Sequence, residues 1–142
     1  MNQSSSSQKR ILLAEDDAST AMLLTQLLQR AGYAVRRCEN GEAALALLEA
    51  ETFDAVVLDL MMPAVDGMQV LKRMRTWPKH MLTPVVVMTA AKLKLVEDEA
   101  LRFGAKAFLE KTQHDQLVGI LRQVLAERET MGEFKLRMAP PT

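Results

Sequence analysis

A single cysteine, Cys38, is all the thiol chemistry this 142-residue chain possesses. One thiol can neither close an internal disulfide nor build a thiolate-rich metal site, and its isolation fits a reducing compartment, so a cytoplasmic location is expected. Net charge is missing too, because 18 Lys and Arg offset 18 Asp and Glu. With no global field to draw in nucleic acid or anionic lipid, no direct nucleic-acid binding is expected. Nor does any apolar run approach the ~20 residues that span a bilayer, so no membrane partner is expected either. The opening residues, Met1-Asn2-Gln3 and then serines 4 to 7, lack the cationic and then apolar order of a secretory signal. Residues 1–8 read as a disordered polar leader.

What remains is 49% apolar and 25% charged, enough for one globular domain with one sizeable core. Five strand-sized apolar runs recur: Ile11 to Ala14, Tyr33 to Cys38, Ala55 to Leu58, Pro84 to Met88 and Ala105 to Leu109. Three of them (ILLA, AVVL, PVVVM) are continuously apolar, the pattern of parallel strands covered on both faces. Between the runs, apolar residues fall at spacings of three and four, as in Leu24, Leu27, Leu28 and Ala31, or Leu117, Leu121, Val124 and Leu125. Gly32 and Gly104 stand where helices should stop. Asn40, Asp66 with Gln69, and Thr112 with Asp115 stand where helices should start. The alternation predicts an α/β fold: a doubly wound (βα)5 three-layer sandwich around a five-stranded parallel sheet. Strand order 2-1-3-4-5 is taken from the flavodoxin-like class of such folds, since periodicity alone cannot choose among sheet permutations. The domain is expected over residues 9–129, followed by a short, frayed C-terminal tail at 130–142.

Open α/β sheets bind ligands beyond the carboxyl ends of their strands. Glu15, Asp16 and Asp17 follow the first run, Asp59 the third, Thr89 the fourth and Lys111 the fifth; the second contributes nothing obvious. If the first, third, fourth and fifth strands are contiguous, Glu15, Asp16 and Asp59 share one pocket with a hydroxyl and an ammonium. Two carboxylates ~4 Å apart repel by roughly 4 kcal/mol at an effective dielectric near 20, so three together call for a shared proton or a bound cation. No His or Cys stands near these positions, which favours Mg2+ with oxygen ligands over a transition metal. An aspartate neutralised in this way can act as a nucleophile toward a phosphoryl group, and Thr89 and Lys111 can then contact phosphoryl oxygens.

Four blocks, ILLAEDD, VVLDLMMPAVDG, VVVMTA and FGAKAFLEK, occur in an order and spacing that resembles the response-regulator receiver domains of two-component signalling, the CheY-like family. The resemblance covers roughly Lys9 to Arg128. It implies a phosphorylatable switch that takes its phosphoryl group from a sensor histidine kinase or histidine phosphotransfer protein in a Mg2+-dependent reaction, with Mn2+ able to substitute. It implies that Asp59 is the phosphoacceptor, Glu15 and Asp16 the acidic metal pair, Met61 a metal ligand through its backbone carbonyl, and Lys111 the family's lysine. It makes Thr89 the switch hydroxyl and Phe108 the switch aromatic, the latter half exposed on an edge strand and able to turn inward. The signal is then a change in the surface of the fourth helix, fifth strand and fifth helix. The chain is expected to be a single-domain regulator without an output domain, not a turnover enzyme, a monomer or phosphorylation-dependent homodimer, with an unspecified downstream protein target. Two positions depart from the family pattern. Thr112 follows Lys111 where proline preceded by a cis bond is usual, and Glu15 stands where Asp is commoner.

Several residues have blander readings. Asp17 is a secondary ligand candidate but stands where the first helix begins, which favours a cap. His80 and His114 sit in polar segments without a metal-spaced partner and read as surface residues. Lys72, Arg73, Arg75, Lys79, Lys92 and Lys94 form a stretch without acids that reads as a solvated helix face. Leu95 and Ile120 lie off the main apolar stripes, and Phe134, Leu136 and Met138 alternate with charges in a way that could add a strand. Competing functions are a receiver-like scaffold that works without phosphorylation and an aspartate-nucleophile phosphatase. The phosphatase usually carries a second acid two residues after its nucleophile, where this chain has Met61. A flavin or nucleotide module of the same fold is disfavoured because Glu15-Asp16-Asp17 would repel a phosphate.

Overall fold

The structure is a computed structural model that describes the backbone of residues 8–138 and the side chains of residues 8–131. The expected leader, Gln8 apart, and the Pro140-Pro141-Thr142 end lie outside the described residues. Five parallel strands, β1 (Arg10–Ala14), β2 (Ala34–Cys38), β3 (Ala55–Asp59), β4 (Val85–Thr89) and β5 (Ala105–Glu110), form one sheet in the order β2-β1-β3-β4-β5. The connecting helices are α1 (Ala18–Arg30), α2 (Gly41–Ala50), α3 (Gly67–Met74), α4 (Lys94–Arg102) and α5 (Leu117–Met138). The expected flavodoxin-like architecture is the observed one.

Alternation along each strand sends successive side chains to opposite faces. Ile11, Leu13, Val57, Val86 and Leu109 meet Leu24 and Leu28 of α1 and Leu117 and Leu121 of α5. Leu12, Val56, Leu58, Val87 and Phe108 meet Leu48 of α2, Leu71 and Met74 of α3 and Ala100 of α4. Both faces of β3 and β4 are fully covered, hence their uninterrupted Val-rich sequences. Helix starts follow the capping residues: Asp17 accepts from the Thr20 N–H at 2.8 Å, Asn40 from Ala43 at 2.8 Å and Asp66 from Gln69 at 3.0 Å. Gly32 (φ 97°) and Gly104 (φ 85°) take the left-handed conformation that terminates α1 and α4.

Five expectations change. Thr112 and Asp115 do not cap α5. Glu110 instead opens a 3-10 turn over Lys111–Gln116, its N–H donating to Gln113 Oε1 at 3.0 Å, and α5 begins at Leu117. There is no frayed break after Glu129: α5 runs on to Met138, so positions 134, 136 and 138 are helical rather than strand. A glycine inside a helix, here Gly132, costs only about 1 kcal/mol and does not stop it. His80 is not a surface residue but fully buried. Its Nε2 lies 2.7 Å from the Leu48 carbonyl and must donate there, leaving Nδ1 to accept from the Thr83 hydroxyl at 3.1 Å. Arg75 is no solvated cation either; its guanidinium donates to the carbonyls of His80, Thr83, Phe103 and Gly104, tying the ends of α3 and α4 to the entry of β4 and β5. Phe108, finally, is buried at 5% exposure rather than half exposed, because α4 covers that face of the edge strand.

Two of the remaining cations of the acid-free stretch pair with acids of α4: Lys72 of α3 meets Glu99 at 2.6 Å, and Lys94 meets Asp98 one turn along α4 itself at 3.2 Å. Leu95 is 83% exposed, whereas Ile120 is half-buried against the α5 face of the core. Among the described residues no helix is long and apolar enough to cross a membrane.

Candidate functional site

Because β1, β3, β4 and β5 are neighbours in the sheet, the residues at their carboxyl ends arrive at one place. Asp59 is the last residue of β3, Glu15 and Asp16 follow β1, Thr89 ends β4, and Lys111 follows β5. Glu15, Asp16 and Asp59 each offer a carboxylate oxygen, and the three lie within 4.8 Å of one another. Glu15 and Asp59 are buried while Asp16 is exposed, so the cluster opens to solvent on the Asp16 side. Lys111 Nζ bridges the buried pair, 2.9 Å from Glu15 Oε2 and 3.1 Å from Asp59 Oδ2.

The backbone fixes both carboxylates. Asp59 Oδ1 accepts the Met61 N–H at 3.0 Å, and Glu15 Oε2 accepts the Asp17 N–H at 3.0 Å. The loop after β3 depends on Gly67, where a Cβ would stand 2.2 Å from the Asp59 carbonyl oxygen. No side chain larger than hydrogen allows α3 to start so close beneath the aspartate. Ala64 in this loop holds φ at 64°, the left-handed region, a strained conformation for a residue with a Cβ.

Three carboxylates against one ammonium leave an excess of two negative charges. The Asp59 carboxyl is raised to about 6: burial is the largest cause, the Met61 N–H pulls against it, Glu15 adds to the rise and Lys111 opposes it. For Lys111, burial alone would lower the ammonium, but Glu15 and Asp59 outweigh it and hold the group above its ordinary value. Glu15 Oε1 is buried without any hydrogen-bond partner. An orphaned carboxylate oxygen beside two further acids, with no nitrogen or sulfur donor among them, fits a hard divalent cation such as Mg2+.

The sequence-derived candidates thus divide. Glu15, Asp16, Asp59 and Lys111 come together. Thr89 is buried at the end of β4 with its hydroxyl turned to its own loop, donating to the Ala91 carbonyl at 3.1 Å. Asp17 stands aside from the cluster: its carboxylate takes the N–H and hydroxyl of Thr20, which hold it below the usual carboxylate range. Met61 has its side chain 70% exposed beside the site, and its N–H is spent on Asp59. The bond between Lys111 and Thr112 is trans, as an ordinary secondary amide prefers. Contrary to expectation, the second strand does contribute. Arg37 on β2 donates Nε and Nη2 to the Glu15 carbonyl at 3.1 and 2.8 Å, and Nη2 reaches the Asp16 carbonyl at 3.5 Å. No strand-end rule reveals this, because Arg37 lies one residue inside β2 and acts through its long side chain.

Residues 11–122 match the family described as the response regulator receiver domain. Among curated proteins the chain is similar to the uncharacterized transcriptional regulatory protein YrkP of Bacillus subtilis, 34% identical over 125 residues, a match that covers 84% of this chain and 52% of YrkP. The chain spans about half the length of the curated relatives it matches. Among solved structures it resembles the Francisella response regulator 1452 receiver domain, with 26% identity, a TM-score of 0.78, and coverage of 85% of this chain and 99% of that one. It also resembles the receiver domain of sensor histidine kinase PA1611 from Pseudomonas aeruginosa, solved with a magnesium ion coordinated in the active-site cleft. That match has 25% identity and a TM-score of 0.77, covering 84% of this chain and 98% of that one.

Proposed function

The chain belongs to the response regulator receiver-domain family of two-component signalling, and from that premise we propose that Asp59 is its phosphoacceptor. The observation that carries the reading is the meeting of Glu15, Asp16 and Asp59 within 4.8 Å, with Lys111 bridging the two buried acids. The donor is a phosphohistidine on a sensor kinase or a phosphotransfer protein. The phosphorus–nitrogen bond breaks, an Asp59 carboxylate oxygen forms the new bond to phosphorus, and the released imidazole takes up a proton.

Each residue has a task in that exchange. The Met61 N–H holds one Asp59 oxygen, which fixes the plane of the nucleophile. The Lys111 ammonium lies within reach of the incoming phosphoryl oxygens and stays charged, since both acids hold its proton on. The carboxylates of Glu15, Asp16 and Asp59, with the Met61 carbonyl, would hold Mg2+, or Mn2+ in its place. Such an ion would supply neutralisation of the negative charge that phosphoryl oxygens bring toward the acids. Alignment and charge neutralisation are the main requirements of such a transfer, and these side chains supply both.

Signalling follows from Thr89. Its hydroxyl exchanges the Ala91 carbonyl for a phosphoryl oxygen, which draws the β4–α4 loop toward Asp59. Phe108, seated beneath α4, packs against the shifted loop from within. The change appears on the face formed by α4, β5 and α5 and is read by a protein partner. Incubation with an acyl phosphate and Mg2+ is expected to add one acid-labile phosphoryl group, and Asp59→Asn to abolish it. Undiminished labelling of that variant would remove the assignment.

A further inference from the structure

We infer that Arg37 is a positioning residue for the cation site, holding the Glu15–Asp16 segment in its binding shape without touching the ion. The inference rests on the reading of Glu15, Asp16 and Asp59 as a cation site, and it names a regulator of that site outside the acids themselves.

The Glu15–Asp17 segment must turn from strand to helix while carrying three acids in a row. Its N-terminal side is anchored by the sheet, since the Glu15 N–H donates to the Cys38 carbonyl at 3.0 Å and so extends the β1–β2 ladder by one rung. Its C-terminal side is anchored where Asp17 caps α1. The carbonyls of Glu15 and Asp16 lie between these anchors. Arg37 supplies the donors: two nitrogens of one planar guanidinium converge on the Glu15 carbonyl, and one of them also reaches the Asp16 carbonyl. Arg37 is paired with Leu13 across the sheet, and its side chain leans along the strand toward the carboxyl end. A fork of fixed geometry orients two successive peptide groups at once, which a single point donor cannot do. Among the described residues Arg37 makes no ion pair within 4.0 Å, so its hydrogen bonds are committed to these carbonyls.

Its charge and its geometry act on the cation in opposite directions. The guanidinium charge repels a divalent ion, whereas the fork spares the ion the cost of ordering its own ligands. A Lys at this position keeps the charge and loses the fork, so Arg37→Lys isolates the geometric contribution. Groups that orient a metal's ligands typically contribute about 10- to 100-fold in affinity, and a residue acting one step further out, through the backbone, is expected to contribute at the lower end of that range or below, about fivefold.

The test is a titration of the full chain with Mg2+ alone, followed by the backbone amide resonances of residues 15–17, for the parent and for Arg37→Lys. Amide hydrogen exchange of the same residues and urea stability are measured in chelator. The expected result is a dissociation constant raised about fivefold in Arg37→Lys, faster exchange at Glu15, and urea stability close to the parent's. A merely structural arginine would lower stability in chelator and leave Mg2+ affinity untouched, and that outcome overturns the inference. So would equal or tighter Mg2+ binding by the variant. If the parent's resonances do not respond to Mg2+ at all, the cation site itself is refuted and the role of Arg37 falls with it. A normal parent response with an unaltered variant rejects Arg37 alone.

Discussion

Replacing Asp59 by Asn should stabilise the metal-free protein at neutral pH. The Asp59 carboxyl sits at about 6 against 3.8 for the free group. A shift of about two units corresponds to about 3 kcal/mol of cost for holding the ionised form in the folded state. Asn is neutral and keeps an oxygen for the Met61 N–H, but it gives up the contact with Lys111, which retains Glu15 at 2.9 Å. The attraction of Lys111 is already contained in the shift, so the net gain is close to the full cost, about 2–3 kcal/mol at pH 7.5 in chelator. The pH dependence has a definite sign. A carboxyl whose pKa is raised by folding binds its proton more tightly in the folded chain, so the parent loses stability as pH rises from about 4 through about 6. Asn at the same position does not titrate. The gap between variant and parent should thus be nearly closed at pH 4 and fully open above pH 7. Urea unfolding followed by the fluorescence of Trp77, the only tryptophan, measures it. A variant less stable than the parent at pH 7.5, or a gap that does not change with pH, would refute the convergence of the acids.

Lys111→Met leaves Glu15 and Asp59 without their shared counter-charge and should lower stability in chelator by about 2 kcal/mol, with saturating Mg2+ restoring a part that urea curves will show. His80→Ala removes a buried ring and leaves the Leu48 carbonyl without its donor, so a loss of about 2–4 kcal/mol is expected by the same assay. Ala64→Gly relieves a left-handed residue and should raise stability by up to about 1 kcal/mol, without altering Mg2+ affinity.

Strand phase and helix starts were legible because they are local. A run such as AVVL declares a strand covered on both faces, and Asp17, Asn40 and Asp66 cap the helices they precede. The acids and Lys111 were legible through one further rule, that a doubly wound sheet gathers its strand ends. What escaped depends on distant partners. His80 reads as polar surface until Leu48 and Glu51, some thirty residues earlier, supply carbonyls for its ring. Arg75 reads as one cation in a basic stretch until the turns around Thr83 and Gly104 close over it. Phe108 reads as half exposed because periodicity shows which face a residue takes, not whether a helix lies on that face. Arg37 escaped because a guanidinium can act well beyond the strand position that bears it.

The most direct measurement is of where the phosphoryl group is found. After exposure to an acyl phosphate and Mg2+, borohydride reduction converts an aspartyl phosphate to homoserine, which peptide mass spectrometry locates to a single residue. Homoserine at position 59, absent when chelator replaces Mg2+, is the predicted result. A modification at Glu15, Asp16 or a histidine, or labelling that proceeds equally well in chelator, would contradict it.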